Sequence, residues 1–312
     1  MADEKWISGL YAAMPVAEAA RRVLTVRLGV VLERLPAAVE RADEDVEHVH
    51  QLRVGTRRAG AAVRIFAEVF PAKLHRKLRR GLRAIRRAAG AARDWDVFLE
   101  MLAARKDGNH AKRTAGFDFL QGFGHGQRMF AQTHLRAATD GRTQKLQKLL
   151  VEIDSALDQA EHETTLRDLA VPMLTQMVRE LEEAVSGDLR TYEALHQVRI
   201  LGKHLRYAME LFESCFAPSF RDEMYPHIVE MQEILGLAND SHVAGLRLDE
   251  LRRRLQQVDL ERWRRYRFAI EPLQLAHRRR LTQQRRLFMK WWSAWERAGS
   301  AAALERLLRA SA

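Results

Sequence analysis

The run VHQLRVGTRR, Val49 to Arg58, sets His50, Arg53, Arg57 and Arg58 close together, and a related run, LHQVRILGKHLRY, returns at Leu195 to Tyr207 with His196, Arg199, Lys203 and Arg206. These side chains suit phosphate. Arginine offers a planar fork of donors that matches paired phosphate oxygens, and lysine supplies a mobile point charge. Histidine donates from both ring nitrogens once protonated, a state that a nearby polyanion favours. His50, Arg53 and Arg57 stand at i, i+3 and i+7, one side of an α-helix, and His196, Arg199 and Lys203 repeat that spacing, with Arg206 continuing the line. Leu52, Val54, Val198 and Ile200 lie off the stripe and are available for packing.

Two further stretches are basic. From Pro71 to Arg93 there are nine Lys or Arg and no acid, with Lys73, Lys77, Arg80, Arg83 and Arg87 recurring at three- and four-residue steps. Self-repulsion along such a row costs about a few tenths of a kcal/mol per exposed pair, which an ordinary solvated surface also tolerates. Between Arg262 and Lys290 ten Lys or Arg face Glu271 alone. Trp291 and Trp292 follow. Adjacent tryptophans on a helix point about 100° apart, a poor platform for bases, so they are expected to pack the last helix.

The elements that must position these groups are helices. The 312 residues are 47% hydrophobic with seven prolines, and long segments favour Leu, Ala, Arg, Glu and Gln. An all-α fold follows. Helices are expected from Pro15 to about Glu33, with Leu35 and Pro36 at its end or in the turn after it, and then from the acids at Asp43–Glu47 to Val69. A third runs from Ala72 to Ala89, with AGAARDWD, Ala89 to Asp96, as a turn before a new helix. Asn109–Ala137 and Thr143–Ala160 complete the first half. The second half is read as Thr165–Ala184, Tyr192–Phe216, Arg221–Leu235, Ser241–Val258, Leu260–Leu275 and Arg278–Leu308.

A shift of 146 positions lays one half on the other. His50 meets His196, Arg53 meets Arg199, Arg57 meets Lys203, Phe66 meets Phe212, Gly90 meets Gly236 and Asp94 meets Asp240. Duplicated helical modules are therefore expected, 1–160 and 161–312, as two halves of one domain related by an approximate two-fold axis. Arg93 and Asn239 break the correspondence, as do Asp96 and His242, so the halves are not expected to grip a ligand equally. Asp94 and Asp240 can cap a helix start or orient an arginine, with a metal as a lesser alternative.

The formal charge of +11 attracts polyanions: nucleic acid, an acidic membrane surface or a phosphate polymer. No base-reading module is visible, so a phosphate chain without bases is at least as natural a ligand as DNA. The lone cysteine, Cys215, excludes an internal disulfide and reads as a buried thiol. Neither a signal peptide nor a spanning helix is apparent, which makes a soluble cytoplasmic protein the expectation. His110, His125, His134 and His162 show no metal-ligand spacing, and no nucleophile–base set stands out, so neither a cofactor nor catalysis is expected.

HQLRVGTRR at His50–Arg58, AARDWDVF at Ala91–Phe98, HQVRILGKHLRYAMELF at His196–Phe212 and QEILGLANDSHV at Gln232–Val243 together resemble the CHAD family, the conserved-histidine α-helical domains. The resemblance covers nearly the whole chain. It implies a pseudo-two-fold pair of helical bundles around a basic central cavity that binds inorganic polyphosphate. It also implies a stand-alone, non-catalytic module associated with polyphosphate granules. Its binding positions fall on His50, Arg53, Arg57, Arg58, His196, Arg199, Lys203 and Arg206. Lys73, Lys77, Arg80, Arg83 and Arg87 adjoin them, and Arg93, Asp94, Asn239 and Asp240 have structural or orienting parts. A nucleic-acid-binding protein is the alternative reading, with an enzyme of polyphosphate metabolism behind it.

Overall fold

The computed structural model describes residues 5–104, 115–158 and 163–310; His110 and His162 lie outside them. Ten α-helices run in the order α1 (Val16–Glu40), α2 (Glu47–Ile65), α3 (Ala72–Ala104), α4 (Ala115–Thr139), α5 (Arg142–Asp158), α6 (Leu166–Ser186), α7 (Tyr192–Phe212), α8 (Tyr225–Val258), α9 (Leu260–Arg297) and α10 (Ser300–Arg309). A 3₁₀ turn, Glu213–Cys215, and a π-helical turn, Phe220–Met224, link α7 to α8. Among the described residues no helix is long and apolar enough to cross a membrane.

Several expected boundaries change. Both motifs read as turns are mid-helix: α3 runs unbroken through Ala89–Asp96, and α8 runs through Gly236 and Asp240. One glycine costs a helix about 1 kcal/mol relative to alanine. Burial of Ile85, Ala88, Ala89 and Ala92 around Gly90 offsets that. Asp94 and Asp240 are thus not helix caps. The first helix passes through Pro36 and ends at Glu40, four buried residues (Val31, Leu35, Ala38 and, just beyond, Ala42) holding that end to the core. The seventh stops at Phe212 rather than Phe216, and the ninth continues through Pro272 and Leu275 to Arg297.

Helix starts use ordinary chemistry. Thr165 and Asp168 form a reciprocal capping box at α6, Thr191 accepts from the Ala194 N–H at α7, and Asp259 accepts from the Arg262 N–H at the sharp corner between α8 and α9. The starts of α1 and α6 are stapled by backbone bonds, Val16 N–H to Thr164 O at 3.0 Å and Leu166 N–H to Met14 O at 2.8 Å.

The main buried cluster draws on nearly every helix, from Leu24 on α1 to Leu308 on α10. Phe66 and Phe212, partners under the 146-residue shift, are both fully buried, each contributing about 1.5–3 kcal/mol. Trp291, Trp292 and Trp295 are buried in the same cluster, and Cys215 is buried with its thiol pushed up to about 12 by desolvation. A second cluster, Phe98, Leu120, Leu251, Trp263 and Ile270 among them, joins α3, α4, α8 and α9.

One polar knot crosses the core where α2 meets α7. Glu210, 1% exposed, accepts from Arg58 Nε at 2.9 Å, from the Tyr225 hydroxyl at 2.8 Å and from Arg206 Nε at 3.2 Å. A buried carboxylate is tolerable only when its lone pairs are met, and here three donors meet them. Glu210→Ala removes the buried carboxylate that Arg58, Arg206 and Tyr225 share. Chemical denaturation should show a loss of about 3–5 kcal/mol; a loss below about 1 kcal/mol would mean that the knot does not hold α2 to α7.

Candidate functional site: a cationic cleft between α2, α3 and α7

A cleft of about 510 Å³ opens between these three helices. From α2 come Arg53, Arg57 and Arg64; from α3, Arg86, Arg87, Gly90 and Asp94; from α7, Lys203, His204 and Tyr207. Five guanidiniums and the Lys203 amine thus face one carboxylate, so the wall is far from neutral.

Arg53 is the anchored member. Its Nη1 donates to Asp94 Oδ1 at 2.7 Å and to the Gly90 carbonyl at 3.2 Å. Asp94 also pairs with Arg247 of α8 at 3.6 Å, and that guanidinium lies 4.2 Å over the Trp95 ring. Asp94 therefore orients arginines from both halves of the chain. Under the 146-residue shift the same relation falls on Arg199 and Asp240, where Asp240 acts on Arg199 through its charge.

The other cations are held against their charge. Desolvation lowers the pKa of Arg57, Arg64, Arg86 and Arg199, and neighbouring guanidiniums lower each further. Lys203 is affected most: desolvation, then Arg199, Arg57 and Arg53, bring its amine down to about 6. His204 falls to about 4, by desolvation and the charges of Arg64, Lys203 and Arg86. His50 and His196 are also lowered, first by desolvation; Glu47 partly offsets this for His50. Both imidazoles are neutral at pH 7 without a ligand.

His196 sits in a small polar stack. Asn239 gives its amide N–H to Asp240, which turns its Oδ1 to the Tyr192 hydroxyl at 3.0 Å. With the phenol proton directed to Asn239, the Tyr192 oxygen at 3.0 Å is left to accept from His196 Nδ1. The Tyr192 ring stacks on His242 at 3.4 Å between centroids. Asn239 and Asp240 therefore orient His196 through Tyr192, and the unlike residues at Arg93 and Asp96 do otherwise. Arg93 pairs with Glu100 at 2.7 Å, and buried Asp96 with Arg128 at 2.6 Å.

The remaining basic residues divide. Arg58 is buried on Glu210 and is not among the residues that line the cleft; Arg206 shares that carboxylate with a side chain 27% exposed. The α3 row is split by the helix turn. Lys77 pairs with Glu152 of α5 at 3.1 Å and Lys73 is exposed near it in sequence, away from the residues lining the cleft. Arg80, Arg83 and Arg87 border a separate groove against α4 with Phe130 and His134, and only Arg87 borders both. Sequence reasoning passed over Arg64, Arg86, His204 and Tyr207. Arg64 could have been found, since it stands seven residues beyond Arg57 on the same stripe.

The depressed Lys203 gives a pH signature. With a folded pKa of about 6 against about 10.4 unfolded, the unfolded chain holds the extra proton between those values, so stability rises with pH across that window. Denaturation of the free protein at about pH 6.5 to 8.5 should show a contribution of up to about 1.4 kcal/mol per pH unit that Lys203→Met abolishes. An unchanged slope in the variant would place an ammonium, not an amine, in the cleft.

Among the described residues no three His, Cys, Asp or Glu are grouped to hold a metal ion. Comparison with known proteins places this architecture. Two solved structures share the fold. The CHAD domain from the plant Ricinus communis aligns with a TM-score of 0.69 and 24% identity, over 99% of this chain and 97% of that one. PptA from Streptomyces chartreusis aligns with a TM-score of 0.66 and 17% identity, over 89% and 99%. No curated protein matches. The CHAD-domain family pattern matches residues 22–249, a span that includes α2, α3, α7 and most of α8. The chain belongs to the CHAD family, whose domains are non-catalytic.

Proposed function

We propose that this chain binds inorganic polyphosphate in the cleft between α2, α3 and α7, as a non-catalytic cytoplasmic protein associated with polyphosphate granules. The observation that carries the reading is the imbalance of the wall, with Arg53, Arg57, Arg64, Arg86, Arg87 and Lys203 against Asp94 alone. A linear polyanion supplies a negative charge at each phosphate and satisfies several such groups in a row. Membership of a family linked to polyphosphate supports the same ligand.

In this reading the two halves act as pseudo-two-fold equivalents around one basic cavity. Arg53 and Arg57 grip from α2 and Lys203 from α7, while His50, His196 and Arg199, on the same helices but outside the cleft lining, extend the grip along the polymer. Arg206 and the Arg80–Arg83–Arg87 edge extend the surface. Lys73 and Lys77 contribute long-range attraction, since neither lines the cleft.

Each arginine holds a phosphate through its fork. Lys203 and the histidines gain protons as the ligand's charge replaces lost hydration. Asp94, and Asn239 with Asp240 through Tyr192, fix the orientation of Arg53 and His196.

Nucleic acid is the competing ligand. Among the described residues Tyr207 is the only Phe, Tyr or Trp lining the cleft and is itself buried, which makes a poor stacking platform for bases.

The test is a competition titration with long-chain polyphosphate, short oligophosphates and single-stranded DNA, on the wild type and on Arg53→Glu with Arg199→Glu. Long polyphosphate should bind most tightly, lose affinity steeply with added salt, and resist displacement by DNA at equal phosphate concentration. The double variant should keep its helical circular dichroism and bind about 100-fold more weakly or worse. Unchanged affinity in that variant would mean the paired stripes are not the site. Ready displacement by DNA would favour a nucleic-acid-binding protein.

A further inference from the structure

Lys203 is chemically unlike the other lysines of the chain. It lines the cleft on α7, and among the described residues it has neither a hydrogen-bonded nor an ion-paired partner. The charges nearest to it are Arg199 on its own helix, Arg57 and Arg53 on α2, and Asp240 on α8 as the weakest influence. His204 stands beside it on α7, and Arg86, Arg87 and Asp94 complete the wall from α3. A primary amine is thus set among guanidiniums, with Asp240 the weakest of the charges acting on it and the one that favours its protonated form.

We propose that Lys203 is an acylation site, modified without an enzyme by small acyl phosphates that the surrounding arginines draw into the cleft. The two parts of the reaction need opposite environments, and both are present. Arg53 and Arg57 offer forks for the phosphate end of the reagent, and the cleft of about 510 Å³ admits a molecule the size of acetyl phosphate. The amine supplies the nucleophile, and desolvation among like charges keeps it unprotonated near neutral pH.

The step balances without a further reactant. The nitrogen lone pair attacks the acyl carbon and the N–C bond forms. The bond from that carbon to the phosphate oxygen breaks, with its electron pair leaving on phosphate. The amine proton passes to the departing phosphate, giving an amide and hydrogen phosphate. The product can no longer become an ammonium and fills part of the cleft. If the cleft holds polyphosphate as proposed above, acylation weakens that binding, so the metabolic supply of activated acyl groups would govern occupancy.

The experiment treats the full chain with acetyl phosphate at about pH 7.5, without polyphosphate, and follows each lysine by peptide mass spectrometry. A parallel series uses an uncharged acetylating reagent, the N-hydroxysuccinimide ester of acetate. Lys203 should react with acetyl phosphate at least about ten-fold faster than Lys73, Lys148 and Lys290, which are exposed and outside the cleft. Its advantage should be smaller with the uncharged ester, and Arg57→Gln should reduce the advantage with acetyl phosphate.

Equal or slower reaction at Lys203 overturns the proposal. An advantage identical with both reagents overturns the recruitment by arginine. Polyphosphate affinity is then measured on unmodified and acetylated protein. Rapid acetylation of a chain that never binds polyphosphate would sink the binding reading alone.

Discussion

Like charges held close together in a partly dry cleft must be fixed by something other than their own partners. In this protein the cations that line the cleft between α2, α3 and α7 have one carboxylate among them, Asp94, which is used to aim Arg53 and Arg247. The rest repel one another, and desolvation raises the cost of every charge. A helix can bear this because its backbone hydrogen bonds are internal and its opposite face is buried. The core beneath the stripe, Leu52, Phe66, Val198 and Phe212, holds the cations where an unsupported loop would let them separate.

The scaffold answers that repulsion at two places. Glu210 gathers Arg58, Arg206 and Tyr225 immediately behind the cleft, so the junction of α2 and α7 has its counter-charge in the core and not in the cavity. Backbone bonds also staple the starts of α1 and α6. The cavity face can then stay uncompensated. Its charges are free for a ligand, and its one amine without a fixed charge, Lys203, is left reactive.

Much of this was legible in the sequence, and the parts that were not share a physical reason. The stripes at His50–Arg53–Arg57 and His196–Arg199–Lys203 follow from helical spacing alone, and they lie on α2 and α7. The glycine-bearing motifs at Gly90 and Gly236 were misread as turns because local propensity does not show that flanking alanines are buried. The Lys73–Arg87 row looked like one face, yet three- and four-residue steps drift around a helix, and packing sends Lys77 to α5 and Arg80 to α4. Glu210 was invisible because its partner Arg58 is 152 residues away, a contact that only the folded arrangement creates. Arg58 itself reads as a ligand-binding arginine until that carboxylate is in place.

The central claim is that the cleft lacks counter-charge until a polyanion supplies it, and proton uptake reports this directly. Calorimetric titration of long-chain polyphosphate into the protein near pH 7, in buffers of different ionisation enthalpy, counts the protons taken up. The wild type should take up about one proton more than Lys203→Met, because the ligand restores the ammonium that the empty cleft suppresses. Binding with no net uptake, or with equal uptake in the two proteins, would contradict the account.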